Sequence, residues 1–180
     1  MASLFRPATD LLAQYALYHR DRRNIATHFV GIPLIVFAVC VLLARPAFSV
    51  GDLPLTPAWC VWALSTLWYL TRGQITLGLA VSVVNGVLAL LAHQVAEGST
   101  AQWLGWGVGS FVVGWIIQFV GHHYEGRKPA FVDDVVGLLV GPMFVTAEAL
   151  FALGWGRSLQ GLIELSAGPT VLRDLSRPAT

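Results

Sequence analysis

"YHRDRRNIATH" at 18–28 and "GHHYEGRK" at 121–128 carry four of the five histidines in the chain. Each stretch sits at the edge of a long, uncharged and mostly apolar run, and each mixes imidazoles with carboxylates and cations. Imidazoles together with carboxylates suit Fe(II) or zinc, and iron that handles oxygen needs coordination positions left open. Helical phase sorts the candidates. His122 and Glu125 are three apart and share a face with Gln118 and Trp115. His123 points about 100° away, so one of the adjacent pair can be a ligand while the other faces elsewhere. His19 and His28, nine apart, fall on opposite faces of one continuous helix. They share a site only if the chain turns between them, and "DRRN" at 21–24 suits that turn. His93 lies at the far end of another apolar run, roughly 30 Å from its Arg72 end, and stands apart on the simple topology.

The elements that must hold these groups follow from composition. The 180 residues are 56% hydrophobic and only 12% charged, with mean hydropathy +0.66; soluble domains carry about 25% charged residues. This predicts an all-α integral membrane bundle of four or five spans, each needing roughly 20 apolar residues. The charge-poor windows are 24–44, 53–71, 73–96, 98–124 and 135–156. The fifth contains Pro142, which leaves a partial insertion open, and Glu148. Glycine and proline within such runs are tolerated in a membrane, where neighbours re-satisfy the backbone. Ahead of the first span, Thr9 or Asp10 can cap a short helix whose Leu11, Leu12, Tyr15, Ala16 and His19 recur at helical spacing. The expected organisation is one domain over 1–180: an interfacial helix and turn (1–23), a bundle (24–156) and an amphipathic tail that frays (157–180).

The arginine bias sets orientation. A cytoplasmic N-terminus puts Arg6, Arg20, Arg22, Arg23, Arg72, Arg127 and Lys128 on one side and Arg45 on the other. The expected location is a bacterial inner membrane, or the endoplasmic reticulum in a eukaryote, with both histidine clusters at the cytoplasmic face. The N-terminus lacks the order of a secretory signal. A net charge of +1 without a long basic run gives no nucleic-acid footprint. Cys40 and Cys60 read as packing residues rather than a disulfide or a metal pair. No nucleotide, flavin or haem motif is present.

Several of these residues have plainer readings. Interfacial histidines often present only a polar tip to lipid headgroups, and Arg20, Arg22 and Arg23 serve as topology signals. Trp103, Trp106 and Trp115 read as packing or interface anchors. Asp133 and Asp134 read as a cap before the fifth span. Glu148, ionisable within an apolar run, is either functional or a structural hydrogen-bond partner.

The two clusters also carry a family resemblance. "YHRDRRNIATHFVGIP" at 18–33 and "WIIQFVGHHYEGRKPAFVDD" at 115–134 resemble the membrane-bound 2-hydroxy-fatty-acid dioxygenases related to the yeast enzyme of phytosphingosine breakdown. The resemblance runs over about residues 10–155. It implies an Fe(II) enzyme without 2-oxoglutarate that uses O2 to shorten a long-chain 2-hydroxy fatty acid by one carbon. It places the iron ligands at His19, His28 and His122, with a looser counterpart at His93 and no requirement at His123. Such an acid chelates iron through its hydroxyl and carboxylate oxygens, and three histidines leave room for that chelate and oxygen. Arg23, Arg127 or Lys128 would then steady the substrate carboxylate, and Glu125 or Gln118 would orient a ligand from behind. The acyl tail would lie between the spans, among membrane lipid. Two rival readings are a non-enzymatic lipid-binding or scaffold protein, and a small proton-coupled transporter using Glu148 and His93 as a relay.

Overall fold

A computed structural model describes residues 4–51, 53–129 and 136–176. Among these residues the chain is all-α apart from one short hairpin. Helix α1 (Ala8–Ala16) buries the expected stripe of Leu11, Leu12, Tyr15 and Ala16. The chain then turns, and Asp21 caps α2 (Arg22–Ala44) by accepting the Arg23 backbone N–H at 2.8 Å. His19 lies in that turn and His28 in the second turn of α2, so the turn the two histidines require is present. Strands β1 (Phe48–Val50) and β2 (Leu53–Leu55) form an antiparallel hairpin. Helix α3 (Pro57–Leu70) follows its Thr56 cap, then α4 (Ile75–Ala96). Helix α5 (Thr100–Glu125) starts in a capping box of Ser99 and Gln102 and stops at Gly126, whose φ of 72° only glycine adopts freely. Helices α6 (Gly137–Ala152) and α7 (Arg157–Ala167) complete the chain.

Helices α2, α4 and α5, of 23, 22 and 26 residues, are long and apolar enough to cross a membrane. The other two apolar windows resolve differently. The 53–71 window divides into β2 and the 14-residue α3. At 1.5 Å per residue that helix spans about 21 Å, short of a hydrocarbon core of roughly 30 Å. The fifth window becomes α6, which joins α7 at a bend of 119° and makes a fourth crossing only if the pair counts as one broken span. Pro142 lies inside a continuous α6; the chain breaks instead at Gly154 and Gly156, both at positive φ. Asp133 and Asp134 fall outside the described residues.

The bundle is built on a seam of small residues between α2 and α5. Gly107, Gly114 and Gly121 recur every seven residues and bring the two backbones together. A Cβ on Gly114 would stand 2.7 Å from Ile35 Cγ1 and 3.0 Å from the Gly31 carbonyl oxygen. In a membrane such close approach replaces the hydrophobic drive that lipid cannot supply. The helices run antiparallel: Trp103 near the start of α5 donates to the Val41 carbonyl near the end of α2. Opposite faces carry exposed Leu67, Val83, Leu90, Ile116 and Phe119, an apolar jacket suited to lipid. Beyond the amphipathic α7, residues 168–173 lie across the turn after α1. Val171 donates to the Arg20 carbonyl at 2.8 Å and accepts from the Arg22 N–H at 2.9 Å.

Replacing Gly114 by leucine forces α2 and α5 apart. The variant is expected to lose about 1–3 kcal/mol, read as a lower midpoint of thermal or denaturant unfolding in detergent.

Candidate metal centre

His19 and His28 are oriented by the same local device. The His19 Nδ1–H donates to the Tyr15 carbonyl at 2.7 Å, and the His28 Nδ1–H to the Asn24 carbonyl at 2.8 Å, each four residues upstream. With those protons committed, each Nε2 keeps its lone pair. The two Nε2 atoms face one another at 2.9 Å. Two lone pairs at this distance repel unless a cation lies between them. Two imidazole nitrogens bound at right angles to one ion at about 2.1 Å would be about 3.0 Å apart, so the spacing fits a shared metal. His122, in the last turn of α5, completes the group, its ring centroid 4.9 Å from that of His19 and 5.1 Å from that of His28. The three offer ligand atoms all within 4.8 Å of one another, and all three side chains are buried. His122 Nδ1 is buried with no hydrogen-bond partner among the described residues. Burial first, then the neighbouring His28 and His122, hold the His19 pKa well below its ordinary value, which keeps it in the neutral form that ligates metal. The donor set therefore fits a divalent metal such as iron or zinc.

Glu125 joins the three elements. Its carboxylate accepts the Arg20 N–H at 3.0 Å, the Asp21 N–H at 2.9 Å and the Asn24 side-chain amide at 2.9 Å. It thus ties the end of α5, which carries His122, to the turn of His19 and to the residue whose carbonyl aligns His28. Arg23 faces away from the imidazoles. Its guanidinium binds Asp21, donates to the Arg173 carbonyl and stacks over Tyr124 at 4.8 Å. Burial alone would raise the Asp21 pKa, but hydrogen bonds from the Arg23 side chain and from the Arg173 and Arg23 N–H groups bring it down to about 2.

The remaining candidates are spread out. Lys128 is exposed beside Pro129, and Arg127 donates to the Leu17 carbonyl. His123 is exposed, its ring against Tyr124. His93 sits at the far end of α4, bonded to the Thr56 hydroxyl at 2.9 Å and stacked on Trp59. Glu148 pairs with the buried Arg20 guanidinium at 3.8 Å, at the histidine end of the bundle. His93 and Glu148 thus lie at opposite ends of the bundle, which removes the relay on which the transporter reading depended. Gln118 lines a cleft of about 60 Å3 beside His28 and His122, walled by Ile32, Trp115 and the α6 residues Gly141 and Pro142. Tyr15 also lines that cleft and stacks on His19, with centroids 4.0 Å apart and planes 4° apart. Tyr15 and Asn24 are site residues that the sequence reading passed over. Their signal is present in the chain: each precedes a cluster histidine by four positions.

The model of the family described as Mpo1-like 2-hydroxy-palmitic acid dioxygenase matches residues 5–153. The chain belongs to this family. It is 33% identical to 2-hydroxy-palmitic acid dioxygenase MPO1 of Saccharomyces cerevisiae over 162 residues, covering 86% of this chain and 88% of the yeast protein. No solved structure matches the chain. The Mpo1-like match takes in all three clustered histidines and Glu125, whereas α7 and residues 168–173 lie beyond it.

Glu125→Ala leaves buried N–H groups of the turn without an acceptor and should cost about 2–3 kcal/mol of stability, measured by unfolding in detergent. Asp21→Asn should also destabilise at neutral pH. Because the folded Asp21 pKa is depressed, its contribution is present above the ordinary carboxylate pKa, so the gap between wild-type and variant melts should narrow from about pH 5 to about pH 2.

Proposed function

We propose that the protein is an Fe(II)-dependent dioxygenase that uses O2 to shorten long-chain 2-hydroxy fatty acids by one carbon, the opening of an α-oxidation. The observation that carries this reading is the pair of facing, proton-free Nε2 atoms of His19 and His28 at 2.9 Å, with His122 alongside. His19, His28 and His122 would hold the iron, leaving positions for substrate and oxygen. Bound there, ferrous iron supplies the means to bind and reduce O2, which does not react with a closed-shell acid unaided. The overall change R–CH(OH)–COOH + O2 → R–COOH + CO2 + H2O balances without an external reductant.

The protein's own groups do the positioning. The Tyr15 and Asn24 carbonyls fix the His19 and His28 tautomers, and Glu125 holds the three elements in register from the second layer. The cleft beside the imidazoles is walled by apolar side chains and is far too small for an acyl chain, so it takes the polar head. The tail then extends past Trp115, Ile35 and Leu138 toward lipid. Lys128, exposed beside the cleft residue Pro129, draws the carboxylate to the entrance. Arg23 acts through Asp21 on the turn. The whole chain forms one membrane domain, with the site at the cytoplasmic face as the arginine bias directs.

Anaerobically purified protein should bind about one iron per chain, and His28→Ala should bind almost none while remaining folded. The loaded wild type should consume oxygen with 2-hydroxypalmitate and not with palmitate. Equal uptake with both acids, or stoichiometric iron in His28→Ala, would overturn the assignment. Lipid binding without any iron dependence would favour the scaffold reading.

A further inference from the structure

The cleft offers a carboxylate head few hydrogen-bond donors among the described residues. Among the described residues lining it there is no lysine, arginine, aspartate or glutamate. Apart from the iron that the imidazoles would hold, a carboxylate head lodged there meets the Gln118 amide, whose Nε2 is buried with no partner among the described residues, the Tyr15 hydroxyl, and the apolar Ile32, Ile35, Leu138 and Pro142. An ionised carboxylate in such surroundings is stable only where donors meet it. Of the nearby cations, Arg20 pairs with Glu148, Arg23 with Asp21, and Arg127 donates to the Leu17 carbonyl.

Tyr15 has the required geometry. It is 8% exposed, its ring clamped between the His19 imidazole and Phe144. Its hydroxyl forms no hydrogen bond with any described residue. That hydroxyl lies toward α6 at Gly141, also a cleft residue, where a Cβ would approach it to 3.2 Å and Ile32 Cδ1 to 3.1 Å. Glycine at 141 thus leaves the hydroxyl opening on the cleft. The rigid stack on His19 fixes its position relative to the imidazole group, so little ordering is needed when a ligand arrives.

We propose that the Tyr15 hydroxyl is a neutral hydrogen-bond donor that receives the carboxylate of the bound fatty acid, and that Gly141 keeps its path open. This rests on the dioxygenase reading above, and assigns within it the residue that recognises the acid head. Lys128 attracts the anion at long range; Tyr15 holds it at contact.

Tyr15→Phe keeps the ring, its stack on His19 and the backbone carbonyl that orients His19, and removes only the donor. Binding of 2-hydroxypalmitate, palmitate and hexadecan-1-ol to wild-type and variant protein in detergent, by calorimetry, separates the possibilities, with iron content measured alongside. The expected result is a loss of about tenfold for both acids, no change for the alcohol, and unchanged iron. Equal acid affinity in the two proteins, or an equal loss for the alcohol, would overturn the proposal. Gly141→Ala gives a second test. It should weaken acid binding severalfold in the wild type and have little effect in the Tyr15→Phe background, because the two act on one contact. If it weakens acids and alcohol alike, the assignment fails. Oxygen uptake by the wild type reports on the dioxygenase reading alone; a wild type that binds the acids without consuming oxygen would remove that reading, and the acid-to-alcohol ratio would still decide Tyr15.

Discussion

A single carboxylate holds the candidate centre together. Glu125 accepts from the backbone of Arg20 and Asp21 and from the Asn24 amide, residues about one hundred positions upstream. Each donor belongs to a segment that sets one imidazole: Arg20 follows His19, Asn24 aligns His28, and Glu125 itself lies one turn beyond His122. Hydrogen bonds to an ionised group are roughly twice as strong as neutral ones, and they gain further from exclusion of water. Without this junction the His19 turn would lose its tie to the end of α5 that carries His122.

The seam of α2 against α5 makes that junction possible. Glycines every seven residues along α5 let two backbones touch over a long contact, and the histidine end is the place where the contact finishes. Lipid drives no association between apolar helices, so shape complementarity has to supply it. Burial at that end holds the His19 imidazole in its neutral form, the state that ligates metal. Membrane insertion, helix packing and ligand chemistry are therefore parts of one arrangement.

Much of this was legible from residue order. Low charge and long apolar windows specify a helical membrane protein, and the phase argument requires the turn between His19 and His28 that the structure contains. His93 was expected to stand apart, and it does, bonded to Thr56. The sequence-level picture was weaker where partners are distant. Hydropathy could not distinguish a crossing helix from the 14-residue α3, because a hairpin and a short helix have the same apolar content. Proline drew attention at 142, whereas Gly154 and Gly156 make the bend, since a proline carbonyl neighbourhood can be repaired within a helix and a positive φ cannot continue one. Arg23 looked like a substrate cation because its pairing with Asp21 and the Arg173 carbonyl depends on chain that returns about 150 residues later. Tyr15 looked like one more apolar residue on a stripe, since nothing in a one-dimensional pattern reveals a hydroxyl that bonds to none of the described residues.

The strand-like segment over the His19 turn bears on how the molecule matures. Val171 and Arg173 cover a loop that the ribosome made some 150 residues earlier. For most of that interval His122 is still to come, so the three-imidazole group is incomplete. Any ion held by the three imidazoles would therefore gain its last ligand and its cover only long after α2 has been made.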